Sequence, residues 1–196
     1  VIIDSPLFWQ YICHMYTILP NIEAHLNQLA EAYAPNTLRS YYADSKAFVD
    51  WCVIKKCIPF PLNSHVVRQY IEEHSKLSYA TIRRRVGALR RVNTILGYED
   101  HSRTEEVYIA FRKLKRSRSN AQKQATGINL SLLEKMIASQ PKTVTGIRNR
   151  ALISIGYDFL ARRSELAALK SSDVSILPDG SLRGIIRRSK TDQLGR

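Results

Sequence analysis

Apolar residues recur at three- and four-residue intervals over most of this 196-residue chain, which is the spacing of helices that bury one face. In residues 22–33 the stripe is Ile22, Leu26, Leu29 and Tyr33. Pro35 interrupts it, and Asn36 is placed to cap a longer helix through its side-chain oxygen. That second helix carries Leu38, Tyr41 or Tyr42, Ser45, Phe48 or Val49, and Cys52 on its inner face. It must end before Pro59-Phe60-Pro61, because proline lacks the donor that continuation needs. Ser64 is expected to cap a third helix facing inward with Val67, Tyr70 and Ile71. Ser78 opens a fourth, with Ile82, Val86, Leu89, Val92 or Asn93, and Leu96 buried and Gly97 as its stop. A fifth runs from about Thr104 to Arg116, with Val107, Phe111 and Leu114 inside.

Residues 113–127 are basic, polar and poor in large apolar groups, the texture of a linker between two compact units. Beyond it, Ser131-Leu132-Leu133-Glu134 has the pattern of a capping box. A helix follows over about 146–160, with Ile147, Ala151, Ile155 and Phe159 along one side, then a short one at 164–170. The period then changes. Residues 174–177 and 182–187, joined by Pro178-Asp179-Gly180, read as a hairpin.

Charge sharpens this picture. Thirty Lys and Arg against seventeen Asp and Glu leave a formal charge of +13, and the excess is localised: −1 over residues 1–77, +7 over 78–118 and +7 over 119–196. A neutral front followed by a basic remainder fits a polyanion-binding surface, of which nucleic acid is the commonest target. The fourth helix sets Arg83, Arg84, Arg90 and Arg91 beside its apolar stripe, with each seven-residue pair repeating along one side. Lys113, Lys115 and Arg116 continue the basic run. These seven are the candidate DNA-contacting residues.

Composition excludes other classes. At 44% hydrophobic and 24% charged, the chain has the make-up of an ordinary globular protein, with no apolar run of membrane-spanning length. Cys13, Cys52 and Cys57 lack metal-ligand spacing, and Cys52 falls on an apolar stripe, so reduced thiols, a cytoplasmic location and no bound metal are expected. A glycine-rich phosphate loop, a G-x-S-x-G elbow, an H-E-x-x-H helix and a zinc-finger spacing are all missing.

Two short strings remain. Arg162-Arg163-Ser164-Glu165-Leu166 lies between two predicted helices, where an arginine can offer its planar fork to a phosphate and Glu165 can hold the guanidinium. Arg188-Ser189-Lys190-Thr191 lies at the end of the hairpin, where a lysine can deliver a proton. In order, Arg148-Asn149-Arg150-Ala151-Leu152-Ile153, then Leu160-Ala161-Arg162-Arg163-Ser164-Glu165-Leu166-Ala167-Ala168-Leu169, then Ser189-Lys190-Thr191 resemble the tyrosine recombinase (phage integrase) family. The resemblance covers about residues 22–196, with Leu160-Ala161 standing where that family usually has Gly-Leu.

The resemblance implies a mainly α fold: an N-terminal tail (1–20), a helical SAM-like core-binding domain (21–116), a basic linker (117–127), and part of an α+β catalytic domain with a small antiparallel hairpin (128–196). It implies phosphoryl transfer to a tyrosine without cofactor or metal. Arg162 would stabilise charge on the phosphate, Glu165 would orient Arg162, and Lys190 would protonate the leaving oxygen. The implied partners are double-stranded DNA and either further copies of the chain, as a tetramer on DNA, or a full-length recombinase, with no membrane. The family's H-x-x-R motif and nucleophilic tyrosine follow the lysine hairpin, whereas these residues end at Arg196. His65-Val66-Val67-Arg68 has the H-x-x-R spacing, but it precedes Arg162 and is read as coincidence. The expectation is therefore a chain that stops short of the nucleophile and binds DNA without cutting it. A non-catalytic DNA-binding regulator, competing or assembling with a full-length recombinase, is the alternative.

Overall fold

The Ile18, Ile22 and Leu26 side chains, four residues apart and each at most 3% exposed, anchor the first helix to the core. In this computed structural model, which describes residues 6–117, 124–187 and 189, that helix is α1 (Pro6–Gln28). It begins well before the expected residue 22 and runs through Pro20, so the anticipated tail boundary at residue 20 falls inside a helix. Its stripe ends at Leu26, and residues 29–33 form turns instead of the expected last helical turn.

Four more helices complete the first compact unit, which extends to Gln122: α2 (Pro35–Lys55), α3 (Ser64–Glu73), α4 (Tyr79–Ile95) and α5 (Glu105–Arg116). Helix α2 packs on α1 and α4, and α3 packs on α5. Most of the expected stripe residues are buried: Ser45, Phe48, Val49 and Cys52 of α2, Val67, Tyr70 and Ile71 of α3, and Ile82, Val86, Leu89 and both Val92 and Asn93 of α4, whereas Leu38, Tyr41, Tyr42, Leu96 and Phe111 are only partly buried against them. Phe48 meets Tyr70 edge-on at 5.1 Å, and Trp51 meets it at 5.2 Å, so three aromatic rings tie α2 to α3. Asn93 stitches loops to this core. Its Oδ1 accepts the Leu62 N–H at 2.8 Å, and its Nδ2 donates to the Tyr98 and Glu99 carbonyls. Gly97 stands at φ 81 just after α4, a backbone conformation glycine adopts without strain.

Apart from α1, helix starts match expectation or differ from it by one or two residues. Pro35 is the first residue of α2 behind Ala34, so Asn36 sits inside the helix, and Asn63 rather than Ser64 caps α3. Proline is well placed at a first helical position, where its missing donor costs nothing. Residues 113–116, which share the basic texture of the linker, are the last turn of α5, so this helix ends at the expected Arg116, held by buried Leu114. Residues 118–123 of the expected linker lie outside the described residues.

The second unit comprises α6 (Leu130–Ala138), α7 (Val144–Asp158), α8 (Arg163–Ala168), a short 3-10 turn (Ser171–Asp173), and strands β1 (Val174–Ile176) and β2 (Leu182–Gly184). The strands pair antiparallel with Ser175 opposite Arg183. Asn129, not Ser131, caps α6 by accepting the Leu132 N–H at 2.9 Å, so the expected capping box does not form. Thr143 caps α7. The side of α7 expected to be buried is largely open: Ile147 is 60% exposed, Ala151 is exposed, and Ile155 and Phe159 are only half-buried. Leu133 is the one large apolar side chain fully enclosed among the unit's described residues. Position here is fixed by close approach instead. A Cβ on Gly146 would lie 1.8 Å from the Pro141 carbonyl oxygen, and one on Gly184 would lie 2.0 Å from the Phe159 ring.

Candidate nucleic-acid interface

In the first unit the arginine flank of α4 divides into presented and engaged groups. Arg83 is exposed and has no partner among the described residues. Arg84 forks onto Asp44 of α2, with Nη2 donating to Oδ1 at 3.0 Å, while its side chain stays 55% exposed. Asp44 is itself buried and also faces Arg85, whose Nη1 donates to the Tyr70 hydroxyl at 3.3 Å. Arg91 donates through Nε to the Tyr33 hydroxyl at 2.9 Å, with its guanidinium 5.6 Å from that ring's centre.

Arg90 departs most from its expected role. It donates through Nε and Nη2 to the hydroxyl and carbonyl of buried Ser102, both at 2.9 Å. Burial holds its pKa below the usual arginine range against the pull of Asp100. The geometry is that of a loop anchor. Lys113, Lys115 and Arg116 are exposed on the last turn of α5, where cations also complement the helix dipole. The H-x-x-R string at His65 is a surface contact: the Arg68 guanidinium lies 3.2 Å from His65 Nδ1 and beside Glu72 and Glu106.

In the second unit, Arg162 is the residue preceding α8, and Glu165 holds it at two points. The Arg162 backbone N–H donates to Oε2 at 2.8 Å, and Nη1 donates to Oε1 at 2.7 Å. The carboxylate is sequestered while the arginine side chain is 53% exposed. The backbone hydrogen bond from Arg162, then the guanidinium, hold the Glu165 carboxyl below the usual carboxylate range. Immediately before the motif, Leu160 has φ 48 and a side chain 87% exposed.

A second arrangement of the same kind was not anticipated. Buried Asp173 accepts the Lys170 backbone N–H at 3.0 Å through Oδ2 and the Arg187 Nε at 2.5 Å through Oδ1. Its backbone carbonyl accepts the Ile185 N–H at 2.9 Å, clipping the hairpin to the 3-10 turn. A cavity of about 320 Å³ is lined by residues that include Glu165, Asp173, Lys170 and Arg187. The sequence held a signal for it: Lys170-x-x-Asp173 repeats the spacing of Arg162-x-x-Glu165. Lys190 lies outside the described residues.

Comparison with known proteins extends the resemblance read from the motifs. Residues 22–99 match the phage integrase N-terminal SAM-like domain. The chain is similar to an integrase/recombinase xerD homolog of Selenomonas ruminantium, 28% identical over 174 residues, covering 86% of this chain and 50% of that protein. It is similar to recombinase cre of Escherichia phage P1, 23% identical over 168 residues, covering 82% of this chain and 49% of that one. The chain thus spans about half the length of the curated relatives it matches. The helical unit is thus similar to the phage integrase N-terminal SAM-like domain, and most of the chain is similar to recombinases, which agrees with the resemblance of its motifs to the tyrosine recombinase (phage integrase) family.

Proposed function

We propose that this chain binds double-stranded DNA as part of a site-specific recombination system of the tyrosine type. The observation that carries the reading is Arg162: an exposed guanidinium fixed by a sequestered carboxylate on the motif where the family places its phosphate-stabilising arginine. A planar fork held in place needs no reorganisation when it meets a phosphate, the condition for electrostatic stabilisation of charge on the non-bridging oxygens. In this reading Glu165 orients Arg162, and Lys190 protonates the departing 5′-oxygen. On α4 and α5, Arg83, Arg84, Arg91, Lys113, Lys115 and Arg116 supply backbone contacts, while Arg90 acts through the loop it anchors. The partner is duplex DNA, with other recombinase subunits assembled on it.

Salt titration of binding to a duplex oligonucleotide is the test. With six to ten phosphates contacted, affinity falls on the order of 10³–10⁵ between 50 and 200 mM salt, and a flat response removes the proposal. No H-x-x-R string follows Arg162 in these 196 residues. By themselves they are therefore proposed to bind without cleaving, and a covalent adduct with a nicked substrate would overturn that part.

A further inference from the structure

We propose that Arg187 is a second phosphate-binding residue, held in place by the buried carboxylate of Asp173; the inference rests on the DNA-binding reading above and adds a contact to it. Asp173 is 3% exposed, and its side chain faces two donors, the Lys170 N–H and the Arg187 Nε. The Arg187 side chain is nevertheless 62% exposed. A guanidinium held through Nε alone keeps its Nη1 and Nη2 edge, and among the described residues no acceptor meets that edge. Two parallel donors on a rigid plane match two oxygens of a phosphodiester, a geometry that a lysine in the same place does not supply.

Three further observations favour a ligand over a plain latch. The hairpin is already clipped by the Ile185 N–H to the Asp173 carbonyl, so closing it does not require the side-chain pair. The arrangement copies that at Arg162: a sequestered carboxylate accepts one backbone N–H and one guanidinium nitrogen, and leaves the cation facing outward. Glu165 and Asp173 also line the same cavity of about 320 Å³, with Lys170 and Arg187 on its wall, so Arg187 borders a recess large enough to admit a ligand group. The surrounding strand adds Arg183, whereas Asp179 is turned onto Ser181. Glu165 shares the cavity, but among the described residues Asp173 is the one carboxylate in ion-pair contact with Arg187.

The experiment uses the whole chain and a 30-base-pair duplex of mixed sequence. Arg187→Ala is expected to reduce the slope of log affinity against log salt by about 0.9, and affinity at 0.1 M salt about eightfold. Arg183→Ala removes the same charge from the exposed side of β2 and is expected to change the slope less. A footprint on the unaltered chain supplies a second readout: phenylglyoxal modifies Arg187 in the free protein, and saturating duplex protects it relative to Arg183. A wild-type slope in Arg187→Ala overturns the inference and leaves DNA binding intact. If that variant does not fold, equal modification of Arg187 with and without duplex overturns it. A flat salt response of the unaltered chain removes the DNA-binding reading, and this inference with it.

Discussion

Arg162 and Glu165 are joined twice, by a backbone N–H at 2.8 Å and a guanidinium nitrogen at 2.7 Å, so one carboxylate both starts α8 and aims the arginine. Glu165→Ala is therefore expected to speed amide exchange across the first turn of α8, residues 162–166. Arg162→Ala keeps the backbone bond and is expected to change exchange less. The sign of the pH dependence follows from the lowered pKa of Glu165. A depressed carboxyl contributes stability that is present above its unfolded pKa, about 4.3, and is lost as pH falls through the folded value. Protection corrected for intrinsic exchange should be constant above about pH 5 and decline below pH 4. Decline beginning near neutral pH would mean that another group holds the turn.

The stripes of α2, α3 and α4 were legible because each is a local periodicity that the core then buries, as Phe48, Tyr70 and Leu89 illustrate. Caps were less so: Asn63 and Ser64 are both competent, and only the local φ and ψ choose between them. The fate of the α4 arginines was not legible at all. Asp44 is forty residues from Arg84, and Tyr33 fifty-eight from Arg91, so the charge run in the sequence does not distinguish engaged from presented groups. In the second unit the α7 stripe has the right period, but among the described residues Ile147 is left 60% exposed. Periodicity reports which face is apolar and says nothing of what covers it.

Leu160 offers a stabilising substitution. Its φ of 48 lies in the left-handed region, which costs a non-glycine residue roughly 1–2 kcal/mol, and its side chain is 87% exposed, so little packing is lost on truncation. The integrase pattern that this motif resembles has glycine here. Leu160→Gly should therefore stabilise the second unit by about 0.5–1 kcal/mol after the added freedom of the unfolded chain is offset. Leu160→Val should destabilise it. Urea unfolding followed by amide exchange at residues 155–168 separates the two outcomes.

Asn93 is buried among apolar neighbours and satisfies one N–H and two carbonyls from different loops. Asn93→Ala leaves the Leu62 N–H without its acceptor. Loss of a buried partner costs about 1–3 kcal/mol per group, so the first unit should lose roughly 2–4 kcal/mol in urea denaturation. Asn93→Asp keeps the acceptor but turns an anion toward the Tyr98 and Glu99 carbonyls, and it should be no less damaging.

Gly146 is held against backbone, not against a side chain that can turn away. A methyl group there would meet the Pro141 carbonyl oxygen at 1.8 Å, so the connection between α6 and α7 must open to admit it. Gly146→Ala should cost about 1–3 kcal/mol, the range for overpacking, although alanine is the better helix former. A variant as stable as the parent would show that residues 139–143 shift freely.

Arg83 and Arg90 lie on the same helix and carry the same charge, yet their surroundings assign them opposite behaviour. Arg83 stands exposed with no partner among the described residues, so Arg83→Ala should leave thermal stability unchanged and lower the salt slope of duplex binding by about 0.9. Arg90 is anchored on Ser102, which is 0% exposed, and its removal strips the Ser102 carbonyl and hydroxyl of their guanidinium donors. Arg90→Ala should destabilise the chain by about 1–3 kcal/mol, and should affect binding through that loss of structure. Melting temperature and salt slope, measured together on both variants, distinguish the roles. Equal slopes and equal melting shifts for the two would mean that α4 meets DNA as a uniform basic face, and that the contact with Ser102 gives way when the duplex arrives.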